Sequence, residues 1–178
     1  SNAKYMTPLR TKNALDAIGT VWERINEVTL TKDTAKIEIS VPASVSEIRI
    51  VGKDVKPATV PDDVGLRMLL NNNTDNEYSG IRLIGSNAVA AWTQTYIEIC
   101  NRQHMGQSID VFFDCILTLN RESGGAKFVI SANNKVQKTR VYVTWGAWYS
   151  DSVVNTVSLA MTGNTLIKSG STFEIWGR

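Results

Sequence analysis

The sequence predicts an all-β protein: a jelly-roll-like antiparallel β-sandwich preceded by one N-terminal α-helix. Three observations carry that expectation. Apolar residues recur at three- and four-residue intervals between Thr11 and Asn26, and from Val28 onward the pattern changes to period two. No second helical stretch follows, so the crossover helices that a parallel sheet requires are missing. With 178 residues, 43% of them hydrophobic and 20% charged, the chain can fill one full core and is short for two. Three units are expected: a tag remnant over 1–3, a helix or neck over 4–27 and the sandwich over 28–178. Ser1-Asn2-Ala3 reads as the scar of a cleaved tag, and Lys4 follows where a start methionine would stand, so the natural chain is expected to extend further.

Leu15, Ile18, Trp22 and Ile25 share one face of the expected helix, and Thr11 can cap it. Their two-heptad spacing suits either a helix lying on its own domain or a short seam between copies of the chain. Gly19 costs that helix about 1 kcal/mol, so it depends on packing against something.

Candidate strands follow at 28–31, 35–41, 47–51, 65–71, 80–84, 95–101, 109–119, 127–131, 140–145, 154–161 and 172–176. Ile37, Ile39 and Val41 alternate with Lys36, Glu38 and Ser40, the signature of a strand with one wet face. Turns are expected at 72–76, 85–87, 123–125, 132–135 and 163–164, too unevenly spaced for a propeller or β-helix. Many strands with several long connections favour a jelly roll over an immunoglobulin-like sandwich, whose Cys-Trp-Cys arrangement is missing.

The formal net charge of +2 is far from the concentrated positive charge of a nucleic-acid binder, and no apolar run approaches eighteen residues. A soluble module without nucleic-acid or membrane partners is therefore expected. Cys100, Cys115 and the single His104 fall short of a zinc set, and His104 sits in a polar turn rather than beside a nucleophile. Cys115 is in phase with Val111, Phe113 and Leu117 and reads as a buried thiol, with a disulfide to Cys100 left open. Asn71, Asn73, Asp75, Glu77 and Ser79 alternate like the start of a calcium loop, but Asn76 stands where Gly should be and Arg82 where the bidentate Glu should be. Asp110 and Asp114 share a strand face about 13 Å apart, too far for glycoside hydrolysis. Neither metal, cofactor nor catalytic residue is expected, and the chain reads as a non-enzyme.

Aromatics next to hydrogen-bonding side chains suit saccharide recognition, in which C–H faces stack on flat rings. Trp148 and Tyr149 with Asp151 are expected in a loop, and Trp92 with Tyr96 forms a second group. Trp92, Trp145 and Trp176 are otherwise expected as core or rim residues. Arg121, Lys127, Lys135, Lys138 and Arg140 concentrate positive charge, countered locally by Glu122. They read as a hairpin face guarded against edge pairing, with an acidic glycan as the sharper alternative.

Two stretches resemble a known family. Gly65 to Tyr78 with the Ser-Gly that follows (GLRMLLNNNTDNEYSG), and Gly170 to Gly177 (GSTFEIWG), are similar to the β-sandwich modules of bacteriophage and prophage tail, baseplate and fibre proteins. The first departs from that pattern at Asn72, Asn73, Asp75 and Glu77. The resemblance implies a virion protein made in the host bacterial cytoplasm, binding host-surface saccharide as a receptor-binding module or only other virion subunits as a structural domain. It also implies a homo-oligomer, commonly a trimer, for which the Leu15, Ile18, Trp22, Ile25 stripe offers a seam.

Overall fold

Alternation sorts side chains between core and solvent in the strands of lowest complexity. The computed structural model describes residues 21–59, 64–84, 88–100, 111–134, 141–163 and 165–178, and among them it contains strands and no helix. The strands are β1 (Glu23–Thr29), β2 (Lys36–Ser40), β3 (Glu47–Val55), β4 (Leu66–Leu70), β5 (Tyr78–Ile84) and β6 (Ala88–Gln94), then β7 (Ile97–Cys100), β8 (Val111–Leu119), β9 (Ala126–Asn134), β10 (Val141–Trp148), β11 (Thr156–Met161) and β12 (Thr172–Gly177). In β2, Ile37 and Ile39 are buried between exposed neighbours, and in β12 Phe173 and Ile175 turn inward while Trp176 faces the other way.

Two antiparallel sheets result. The larger has the order β1-β12-β3-β8-β9-β10-β5-β6, the smaller β2-β11-β4-β7. One apolar core draws on both: Ile50, Phe113, Cys115 and Phe173 from the larger meet Ile37, Leu66, Met68 and Leu159 from the smaller. Burying a side chain of this size is worth about 1.5–3 kcal/mol, which is why the inward parity of each strand is fixed. Arg82 on β5 and Glu98 on β7 form an almost fully buried ion pair that joins the two sheets. Cys100 and Cys115 are both buried and not bonded to each other, and burial, aided by the Asp114 charge, pushes the Cys115 thiol far above its ordinary pKa.

The structure corrects the expected helix over its final residues. Glu23–Asn26 belong to β1, which pairs along β12 from Glu23↔Gly177 to Thr29↔Thr172. Helical spacing of Trp22 and Ile25 loses there to the open edge of β12, whose backbone groups gain partners by pairing. The register slips between Arg24 and Asn26, and the extra residue, Ile25, packs against the core beside Gly177. The Trp22 ring lies under the Arg178 guanidinium at 4.7 Å. Trp22 and Ile25 are thus engaged by their own domain, while Leu15, Ile18 and the rest of the expected helix lie outside the described residues.

Two further corrections concern connections. The Asn-rich segment after β4 is not a hairpin, because β4 and β5 belong to different sheets. Asn71 and Asn72 take left-handed backbone angles (φ 52° and 54°) that asparagine tolerates, and the chain crosses between the sheets there. The first two amide side chains of this corner are used: Asn71 Nδ2 donates to the Val153 carbonyl (2.8 Å), its Oδ1 accepts the Asn155 amide (2.8 Å), and Asn72 Oδ1 accepts the Ser158 hydroxyl (2.7 Å). Beneath it the buried Tyr78 hydroxyl accepts the Leu70 amide at 3.0 Å and lies 3.2 Å from the Leu70 and Asn73 carbonyls. The calcium-like alternation is spent on this corner. The turn expected at 132–135 is overrun by β9, which continues to Asn134.

Candidate functional site

The hairpin turn between β8 and β9 and the loop after β10 meet at one end of the larger sheet. Asn120 shapes the turn, its Oδ1 accepting the amides of Glu122 (3.2 Å) and Ser123 (3.1 Å). Gly124 and Gly125 follow with φ of 77° and 80°, and a Cβ on Gly124 would sit 2.3 Å from the Asp151 carbonyl carbon. Only glycine lets the turn lie this close to the loop. The contact is sealed by the Gly125 amide donating to the Ser152 carbonyl at 3.0 Å.

Between turn and loop opens a groove of about 860 Å³ whose walls include Asn120, Glu122, Gly125, Lys127, Tyr149 and Asp151. Tyr149 is 67% exposed, held by its amide to the Glu77 carbonyl at 2.8 Å. It also borders a second concavity, a trough of about 730 Å³ on the outer face of the larger sheet, with Ser79, Ile81, Thr93, Val129 and Trp145. Tyr149 is therefore a ridge between two concave surfaces. Arg121 also lines the groove, but it is anchored to the backbone. Its guanidinium donates to the carbonyls of Val45, Val154 and Pro42, each at 2.7 Å, and burial lowers its pKa. Of the expected basic cluster, Lys127 lines both concavities, and Lys135, Lys138 and Arg140 lie outside the described residues.

The structure brings Tyr149 and Asp151 together in the groove, with Trp148 in its lining, and places Tyr96 away from it. Trp148, expected in a loop, ends β10 with its ring 2% exposed, stacked on Tyr78 at 6.1 Å between centroids and 20° between planes. So enclosed a ring offers no face to a sugar, and Trp148 is a core residue beneath the groove. Trp92 lies in β6 opposite Gly80, its side chain outside the described set. Tyr96, in the turn between β6 and β7, is half-buried with the Arg67 guanidinium 5.9 Å from its ring, and it borders neither concavity. Asp110 and His104 lie outside the described residues. Asp114 is engaged, its Oδ1 accepting Arg49 Nε at 2.9 Å, which raises the arginine's pKa.

Trp145, expected in the core or at its rim, stands 41% exposed on the outer side of the larger sheet. In β10 the apolar-looking set Val143, Trp145 and Ala147 lies on the outer side, and Thr144, Gly146 and Trp148 turn inward. A Cβ on Gly146 would meet the Phe128 ring at 2.8 Å, so the inward row is filled by a neighbouring strand's ring passing over glycine. The glycine between two tryptophans was the available signal.

No protein-family model matches the chain, and no curated protein matches it.

Proposed function

We propose that this chain is a non-enzymatic virion module, a jelly-roll β-sandwich of a phage or prophage tail or baseplate protein, that recognises host-surface saccharide in the groove beside Tyr149. The fold reading is supported by nested pairing: β2 with β11, β3 with β8, β4 with β7 and β5 with β6. One long hairpin rolled up gives that pattern, with β9 and β10 extending the position of β8. The observation that carries the function is the Tyr149 ring, 67% exposed above a groove that also presents Asp151, Asn120 and Glu122. A flat ring beside carboxylate and amide acceptors is the chemistry that a pyranose needs.

The test is binding of the purified chain, displayed multivalently so that weak single contacts gain avidity, to an array of bacterial envelope polysaccharides. Tyr149→Ala is expected to lose at least about tenfold in binding, the size of one lost stacking contact, and Asp151→Asn to lose less. Absence of binding to any envelope fraction by the wild type rejects the reading.

A further inference from the structure

The outer face of the smaller sheet carries an arginine that no described carboxylate answers. β4 turns Leu66, Met68 and Leu70 into the core, so Arg67 projects from the other side, in register with Ala160 on β11 and Glu98 on β7. Glu98 is taken instead by Nη1 of Arg82, which reaches it from β5. Glu38, on the same face, is spent on Lys36 Nζ at 2.7 Å and Asn72 Nδ2 at 2.9 Å. Every other described arginine has its guanidinium on a carboxylate or on backbone carbonyls. Arg67 has the Tyr96 ring, 5.9 Å from its guanidinium carbon, and no ion pair among the described residues.

Both arginines beside Glu98 keep an edge unspent. Nε of Arg67 and Nε of Arg82 are buried and have no hydrogen-bond partner. Nε and Nη2 form the side edge of a guanidinium, two parallel donors whose spacing matches two oxygens of an oxyanion. Arg49 shows the fit within this same protein, its Nε and Nη2 on the two oxygens of Asp114. Two guanidinium groups against one carboxylate leave an excess positive charge where the side chains of Arg82 and Glu98 are 13% and 8% exposed. Water would satisfy the N–H groups without balancing that charge, and an unbalanced charge under cover is costly. We infer that Arg67 and Arg82 form an oxyanion-binding site, which takes a carboxylate or phosphate group on the Arg67 edge beside Tyr96. Arg67 is only partly buried, which leaves the group a way in from solvent. Neither arginine nor Glu98 lines the Tyr149 groove, so the inference is independent of saccharide binding there.

The test is thermal unfolding of the full chain in chloride buffer at constant ionic strength, titrated with inorganic phosphate or with glucuronate to about 50 mM. At least one of the two is expected to raise the melting temperature saturably, and the stronger of them tells a phosphate group from a carboxylate. Arg67→Gln, which leaves the pair of Arg82 with Glu98 in place, is expected to lose the rise. Arg67→Lys keeps the charge without the fork and is expected to bind about tenfold more weakly. Tyr149→Ala is expected to show the full rise. A wild type that neither anion stabilises beyond chloride, an equal rise in Arg67→Gln, or a rise that depends on Tyr149 overturns the inference.

Discussion

Tyr78 shows how one side chain closes a corner between sheets. Its hydroxyl takes the Leu70 amide at the end of β4 and sits against the Leu70 and Asn73 carbonyls, while its ring stacks on Trp148. Burial, with the Glu77 and Asp75 charges adding to it, raises the phenol to about 12 against the Leu70 hydrogen bond. A folded pKa above the unfolded value of about 10 means that the native state holds the proton more tightly. The associated stability is whole below pH 10 and is lost as pH rises toward 12. Chemical denaturation of wild type and Tyr78→Phe from pH 8 to 12 checks this. The variant is expected to be less stable by about 1–3 kcal/mol at pH 8, because the Leu70 amide loses its acceptor, and the gap is expected to narrow above pH 10.

At the scale of the element, β10 is where local pattern and fold disagree. Its inward set includes Thr144, whose Oγ1 is buried without a hydrogen-bond partner, and Trp148, whose Nε1 is likewise unpartnered. Thr144→Val keeps the shape and removes the stranded hydroxyl. It is expected to stabilise the fold by about 1 kcal/mol or to be neutral, read as the urea midpoint. A drop of that size would mean that the hydroxyl has a partner. The same strand explains what the sequence could reveal. Period two disclosed most strands because one parity was plainly apolar, as in β2, β8 and β12. In β10 both parities carry a tryptophan, so alternation cannot say which one is buried: Trp148, expected in a loop, is the enclosed ring, and Trp145, expected in the core or at its rim, stands 41% exposed. β6 went unseen because AVAAWTQ is rich in alanine, which carries little strand preference. β1 was hidden under helical spacing because pairing with β12 is a contact with the far end of the chain, invisible in any local window. Tyr149 and Asp151 were legible, since a polar run after a strand marks a loop. The groove between them and the β8–β9 turn was not, because two glycines bring the turn and the loop together in space rather than in sequence.

For the whole molecule, the arrangement to weigh is the nesting of strand pairs, with β1 against β12 outside all the others. Adjacent strands such as β5 and β6, or β8, β9 and β10, close short loops, whereas Glu23 reaches Gly177 only across nearly the entire described chain. Entropy of loop closure grows with the length closed until inner pairs shorten the effective path. The order of assembly therefore runs from the inside outward: the β8–β9–β10 meander first, β3 and β12 laid against it, and β1 last. Pulsed hydrogen exchange during refolding is expected to find the amides of β9 protected before those of β1, and simultaneous protection would contradict that order. The outermost strand is then also the first to let go, and thermal fraying of this protein begins where its two described ends meet.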